Sequence, residues 1–388
     1  MNIYYYYRFS GGNKTGVDKK VISQIKNLSD LGVNCTLFCI CLGNEEFQYP
    51  EINVKNVRLK GTNKKGISNK INREKLVNIE FENLIQSLNH DDIIYMRSPY
   101  PSPQISRILK NKRRCKIVIE YQTIEPLEYK TKKKYWYLLI DYLFGNDIRK
   151  YTDGIVGVTE EITQYQLSRS GNPSKPHITI GNGFDINSVP IRNPPEFSGD
   201  ELHLLCVANV SPWHGLDRLI RGMAEYKGPT KVVLHIAGDG SEVPVLKNLA
   251  KNLNISDQVI FHSFLSGKDL DILFDKCHIA VGSLGIQRKG LKQTSELKAR
   301  EYCARGMPFV IACDDPDFPK DFPYILHLPP NESLIDIKQV IAFTERIFVN
   351  PENSRKMCEY AIEHLDWSVK MKKLKGSLED LVYDNDNV

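Results

Sequence analysis

An α/β protein built from two parallel sheets is the fold class this sequence predicts, on three observations. Short apolar runs alternate with amphipathic stretches along the whole chain. One stretch rich in Pro, Gly and Asn, at 173–195, interrupts the alternation. A length of 388 residues suits two domains of this class. Strand–helix alternation implies parallel strands covered on both faces.

Residues 3–7 read as a strand, followed by the Gly-rich turn Phe9-Ser-Gly-Gly-Asn-Lys-Thr-Gly16. Residues 17–31 place Val21, Ile25, Leu28 and Leu31 at helical spacing, and Gly32 stops the helix. Further strands are expected at 34–42, 92–96, 116–121 and 154–158. Residues 60–75, polar and Lys-rich, read as a loop. A short strand at 177–180 leads into Gly181-Asn-Gly-Phe-Asp185. A second series of strands follows at 202–208, 231–237, 258–261, 278–281 and 309–312. In the tail, Val369, Met371, Leu374, Leu378, Leu381 and Val382 form one apolar stripe, so 367–383 reads as a helix. The expected domains are 1–172, 173–365 and a terminal helix, 366–388, that crosses back to the first. Two Rossmann-like halves of this kind imply a ligand cleft between them, at the carboxyl ends of the strands.

Hydrophobic content of 41% and charged content of 26% describe an ordinary globular chain. Its charge is uneven. Residues 1–165 hold 26 Lys and Arg against 18 Asp and Glu, and residues 166–388 hold 26 against 29. The basic half suits an anionic partner such as a lipid surface. Nucleic acid is not expected, because the basic runs carry no recognition motif. No run reaches the ~20 apolar residues of a membrane span. The first residues read as a strand rather than a signal peptide. The nine cysteines have no metal or disulfide pattern, which fits reduced thiols. The expected location is the cytoplasm, peripheral attachment to the inner face of the membrane being compatible with the basic half.

The segment Gln293-Thr-Ser-Glu-Leu-Lys-Ala-Arg-Glu301, then Tyr302-Cys-Ala-Arg-Gly-Met-Pro308 and an apolar strand, carries most information. It reads as loop, helix, Gly-X-Pro turn and buried strand. Thr294 or Ser295 is placed to cap the helix, whose free N–H groups make an anion site. This segment resembles the donor site of GT-B glycosyltransferases of the family-4 type, where Glu, seven residues and Glu precede a small residue, Gly, X and Pro. Glu301 matches the second Glu, and Gln293 stands at the first. Other segments agree in order. Gly11-Gly12 matches a turn facing sugar and phosphates, with Lys14 adding charge. The hinge Asn-Gly-hydrophobic-Asp matches residues 182–185. The strand-loop-helix bearing a diphosphate-binding Arg and Lys matches 207–220, with Asn209 and His214 at those two positions. The Gly-X-Gly turn matches Gly238–Gly240. Phe264 lies in the segment whose backbone reads the base. The Trp213-His-Gly215 form resembles a subgroup acting on bacterial surface polysaccharides.

The resemblance implies a retaining, metal-independent transferase that moves a sugar from a nucleoside-diphosphate sugar, used as co-substrate, to a glycan or lipid-linked acceptor. It implies no cofactor. Glu301 would hold the ribose. N–H groups of Leu297 and Lys298, with His214 made a better donor by protonation, would hold the diphosphate. Arg288, Lys289 and Lys292 would replace the missing cations. Gln293, Gln122 and the Gly11-Gly12 turn would line the sugar. Glu120 and Glu125 read as structural, and Asp314-Asp-Pro-Asp317 as a turn. A non-catalytic subunit that stabilises an active partner is the alternative.

Overall fold

Two parallel sheets organise the chain, each in its own compact unit. The computed structural model describes residues 1–12, 15–59, 67–112 and 114–383. The first unit comprises Met1–Gly181 and the C-terminal stretch from Trp367; the second comprises Asn182–Asp366. Both sheets are wholly parallel, as in the GT-B architecture.

The first sheet contains β1 (Asn2–Phe9), β2 (Asn34–Cys41), β3 (Asn53–Arg58), β4 (Asp92–Arg97), β5 (Lys116–Tyr121), β6 (Gly154–Gly157) and β7 (His177–Thr179), in the order β3-β2-β1-β4-β5-β6-β7. Ile93, Ile94, Ile117 and Ile119 are fully buried, as expected for strands covered on both faces. The helices are α1 (Gly16–Asp30), α2 (Ile67–Ser87), α3 (Pro103–Asn111), α4 (Glu125–Thr131), α5 (Tyr135–Ile140), α6 (Asn146–Tyr151) and α7 (Glu160–Ser170). A capping box starts α1: Thr15 Oγ1 accepts from the Asp18 N–H, and the Asp18 carboxylate accepts from the Thr15 N–H.

The second unit contains β8 (Glu201–Val207), β9 (Lys231–Ala237), β10 (Val259–His262), β11 (Ile279–Val281), β12 (Phe309–Ile311) and β13 (Ile325–His327), in the order β10-β9-β8-β11-β12-β13. Its helices are α8 (Leu216–Glu225), α9 (Val243–Asn252), α10 (Lys268–Lys276), α11 (Leu297–Ala304), α12 (Ile337–Phe348) and α13 (Asn353–His364). The final helix, α14 (Trp367–Tyr383), belongs to the first unit and packs on α1. Its stripe of Met371, Leu374, Leu378, Leu381 and Val382 is buried there.

The sequence reading needs three corrections. The loop expected over 60–75 is helix from Ile67 onward; residues 60–66 lie outside those described. The helix is anchored by Val77, Phe81, Leu84 and Ile85, all late in its length, so its polar first turns give no periodic signal. The edge strand β3, Asn-Val-Lys-Asn-Val-Arg, was not expected, because one partner strand does not require an apolar run. The strand β7, placed after the domain break by its Pro-rich surroundings, pairs with β6 in the first sheet.

Two buried polar systems hold the second unit. Arg300, on α11, is fully buried. Its guanidinium pairs with Asp315 and Asp317 of the loop after β12, and its Nε donates to the Asn182 carbonyl at 2.9 Å. Asn182 in turn donates its backbone N–H to Ser295 Oγ at 2.7 Å. The Asp-Asp-Pro-Asp turn therefore clamps a helix. Burial would lower the Arg300 pKa, but the Asp315 and Asp317 charges hold it above its ordinary range.

The second system is a row of histidines across three strands. His203 Nδ1 meets His235 Nε2 at 2.9 Å, and His235 Nδ1 meets His262 Nε2 at 2.8 Å. Each contact needs one N–H and one bare nitrogen, so no two adjacent rings can both be charged. Glu201 lies 3.3 Å from His203 Nε2, which favours a proton there and sets the tautomer of the whole row. His278 Nδ1 accepts from the His203 N–H at 2.9 Å. Burial pushes His235 down to about 3 and His278 to about 4, and it lowers His203 and His262 as well.

Two outcomes are expected. Arg300→Met takes the guanidinium from the buried Asp315 carboxylate, which costs about 3–5 kcal/mol; urea unfolding should show this loss, and adding Asp315→Asn should recover part of it. The histidines have folded pKa values below their ordinary 6.5, so the unfolded chain binds protons first on acidification. Their stabilisation is complete above pH 6.5 and is lost as pH falls toward 4. Calorimetric melting temperature should fall over that window, by about 2–4 °C for each kcal/mol lost in a domain of this size. His235→Phe should flatten the dependence.

Candidate functional site

In a parallel sheet every strand points the same way, so the loops leaving the carboxyl ends gather on one edge. In the second unit these are the loops after β8, β9, β11 and β12. The loops after β8 and β9 are joined by the Val210 N–H donating to the Asp239 carbonyl at 2.7 Å. Gly238 takes φ +123° against the Ala208 carbonyl, where a Cβ would collide, so only glycine fits. The Thr294 N–H donates to the Asp314 carbonyl at 2.9 Å, and the Asp314 N–H to the Lys292 carbonyl at 3.0 Å, which fixes Gln293 between them. Tyr302, buried on α11, accepts at its hydroxyl from the Val207 N–H (3.0 Å) and donates to the Val281 carbonyl (3.3 Å). This ties the helix to the ends of β8 and β11.

The start of α11 differs from the expected capping. Glu296 is the N-cap and makes no side-chain cap bond; Ser295 is occupied with Asn182, and the Thr294 N–H with Asp314. Leu297 and Lys298 are the first helical residues, whose N–H groups have no acceptor within the helix. Glu296 turns to accept from the Ser283 hydroxyl. The Lys298 ammonium lies 3.6 Å from Glu296 Oε2, and its side chain is only 10% exposed. Among the described residues, neither Lys298 Nζ nor Glu296 Oε2 has a hydrogen-bond partner.

His214 lies in the neighbouring loop and is buried. Its Nδ1 accepts from the Ser211 N–H at 3.0 Å. Burial, then the Lys298 and Lys289 charges, pushes its pKa well below 6.5. The neutral ring is therefore favoured, and with Nδ1 accepting, its Nε2–H is the remaining donor, without the improvement protonation would bring. Arg288 is also not a spare cation. It pairs with Asp217 (2.8 Å) and Glu332 (2.5 Å) and donates to the Pro212 carbonyl at 2.8 Å, so it holds the loop together. Lys289 lies over the Trp213 ring, 4.9 Å from its centre, and Lys292 is exposed. Asn209 and Phe264 are exposed on adjoining loops. Glu301 sits about one turn beyond Lys298, and its Oε1 accepts from Arg305 Nε at 2.9 Å.

In the first unit, Gly11 and Gly12 take φ +84° and +87° after β1. The Gly12 N–H donates to a Glu45 carboxylate oxygen at 2.7 Å, so a carboxylate already occupies this turn. Lys14 lies outside the described residues. Nearby strand ends line a cavity of about 870 Å³, with Arg8, Arg73, Arg97, Gln122 and Thr123 among its walls. Several buried atoms here have no hydrogen-bond partner among the described residues: Arg73 Nε, Gln122 Nε2, Thr123 Oγ1 and Glu125 Oε1. Glu120 is held by Lys20 at 3.1 Å and Glu125 by Arg149 at 3.0 Å. Among the described residues, no group of three or more His, Cys, Asp or Glu is placed to hold a metal ion.

The structure thus brings Leu297, Lys298, His214 and Gln293 to one strand-end edge, and Gln122 to another. Sequence reasoning missed the Lys298 side chain, Glu296 and Ser283. The one available signal was a charged residue at the second position of a helix whose other face is apolar.

Residues 189–311 match the family described as Glycosyl transferases group 1. No curated protein matches the chain. Among solved structures, the lipopolysaccharide outer core galactosyltransferase WaaB is 15% identical, with a TM-score of 0.65, over 99% of this chain and 100% of that one. Sucrose-phosphate synthase from Thermosynechococcus elongatus is 14% identical, with a TM-score of 0.69, over 98% and 99%. Anabaena HepE in complex with UDP-glucose is 14% identical, with a TM-score of 0.63, over 97% and 99%. At such identities the likeness is one of fold: two parallel-sheet Rossmann-like domains of the GT-B type, the second of them containing the whole of the group 1 match.

Proposed function

We propose that this protein is a retaining glycosyltransferase that moves a sugar from a nucleoside-diphosphate sugar to a glycan or lipid-linked acceptor. The observation that carries the reading is Lys298: a nearly buried ammonium without a hydrogen bond, at the head of α11, beside a neutral histidine. Its ion-pair partner, Glu296 Oε2 at 3.6 Å, makes no hydrogen bond to it, so the ammonium's donors are left for a second anion. A diphosphate supplies that anion, and the helix N-terminus adds two N–H donors.

In this reading Lys298 Nζ, the N–H groups of Leu297 and Lys298, and His214 Nε2–H hold the diphosphate. Glu301 keeps one carboxylate oxygen for the ribose diol, while Arg305 steadies the other. Gln293 donates to a sugar hydroxyl, and the Gly238 turn with the segment around Phe264 receives the base. Lys289 and Lys292 add weaker positive charge at the rim. Charge on the leaving diphosphate is stabilised by Lys298 and the helix dipole rather than by a metal. The acceptor enters the cavity of the first unit, whose unpaired polar atoms suit a hydroxylated or phosphorylated head. The group 1 match and the UDP-glucose complex of HepE support the donor class.

A second reading, a non-catalytic subunit that stabilises an active partner, is favoured by Gln293 at the position of an acid and by Arg288 being spent on structure.

Two measurements test these readings. Glu301→Ala leaves ribose hydroxyls unpaired, and Lys298→Met removes a charged donor, each costing about 1–3 kcal/mol. Calorimetry with a nucleoside diphosphate should show affinity reduced tenfold or more in both variants, with the fold intact; unchanged affinities defeat the assignment. Gln293→Ala should reduce turnover sharply in an active preparation across a panel of nucleotide sugars. Donor binding with no turnover in the wild type selects the second reading.

A further inference from the structure

The first unit carries an apolar surface that no described element covers. In nine residues, Tyr135, Trp136, Leu139, Tyr142 and Leu143 are all exposed, Trp136 by 69% and Tyr142 by 77%. They lie on α5 and on the π-helical turn Asp141–Gly145 that continues it into α6. Their spacing repeats with the helical period, so they share one side. Among its residues α5 buries none.

The other side of this helix is firmly seated. Asp141 is buried and pairs with Arg149 at 3.2 Å and Arg169 at 2.7 Å. Tyr137 packs against Tyr129 and Tyr100, with ring centres 5.6 Å and 5.5 Å away. The apolar face is therefore held outward by a rigid anchor, at the usual cost of hydrating exposed apolar area. A cluster of exposed lysines leads into it: Lys130, Lys132, Lys133 and Lys134. Lys133 takes φ +53°, turning the chain between α4 and α5. Residues 101–150 hold 12 Lys and Arg against 5 Asp and Glu.

We propose that α5 and the π-helical turn lie in the headgroup layer of an anionic bilayer. Trp136, Leu139, Tyr142 and Leu143 enter the acyl boundary, and the lysines meet anionic headgroups. Tyr and Trp with flanking Lys is the composition of a membrane–water interface. A protein-binding surface is depleted of Lys, which makes a protein occupant the weaker fit. The location adds a consequence. Lys134, Tyr137, Tyr129 and Tyr100 also line the cavity of the first unit, so one wall of that cavity is the docked helix. A lipid-linked acceptor could stay anchored in the bilayer while its polar head enters. The acceptor part rests on the glycosyltransferase reading; the membrane part does not.

The test uses the full chain with vesicles of phosphatidylcholine alone, or mixed with phosphatidylglycerol. The wild type should co-sediment with the anionic vesicles at low salt, at least tenfold more than with neutral ones, and less as salt rises. Brominated acyl chains should quench tryptophan emission, and Trp136→Phe should abolish the quenching, since Trp367 is buried and Trp213 is half-buried. Tyr142→Ser with Leu143→Ser should weaken vesicle binding tenfold or more, while nucleoside diphosphate affinity stays unchanged. The inference is overturned if the wild type ignores anionic vesicles, or if quenching persists in Trp136→Phe. Self-association that these substitutions abolish, without vesicle binding, would assign the face to a second copy instead. Vesicle binding without nucleoside diphosphate binding would leave the membrane surface standing and defeat the transferase reading alone.

Discussion

The second unit depends on one buried guanidinium. Removing Arg300 from water is unfavourable unless its donors are matched, and two carboxylates and a carbonyl match them. Those acceptors come from the loop after β12 and from Asn182, over a hundred positions away in sequence. The clamp therefore fixes α11 in position and rotation together. Consecutive helical residues are about 100° apart. With Arg300 pinned inward, the directions of Lys298 and Glu301 are no longer free. A binding site needs groups held within a fraction of an ångström, and this interaction supplies the stiffness.

The same logic separates structural from available charge. Arg218, Arg288 and Arg300 are all buried or part-buried and all spend their donors on protein carbonyls or carboxylates. Lys298 differs: its side chain is 10% exposed, yet among the described residues its ammonium makes no hydrogen bond and has a carboxylate at 3.6 Å. A neutral His214 fits beside it, because a second buried cation would repel it. Electrostatics here thus favours one lysine, a helix terminus and a neutral imidazole over a cluster of arginines. The histidine row lies within β8 to β10, where it joins strands rather than serving the strand-end loops.

Both units concentrate unpaired polar atoms at the carboxyl ends of parallel strands, because that edge is where backbone ladders stop and loops begin. In the first unit the cavity floor is polar and one wall is aromatic. The helix forming that wall has one side committed to the protein and the other to its surroundings. Asp141, buried between two arginines, makes that arrangement rigid instead of a chance exposure of apolar residues.

Local patterns determined much of this protein. Strand and helix order, the α14 stripe and the Gly238 turn follow from periodicity and backbone sterics within a few residues, so the sequence alone reveals them. The order of motifs around Gln293 and Glu301 likewise pointed to the GT-B architecture. What only tertiary structure decided is which side chains meet. Arg288 looks free in sequence, but Asp217 and Glu332 reach it from other elements. Ser295 looks like a helix cap, but Asn182 takes it. The polar strand β3, the early turns of α2 and the membership of β7 also depended on distant partners. A side chain's charge state and availability are set by burial and by neighbours brought close through folding, and neither is a property of local sequence.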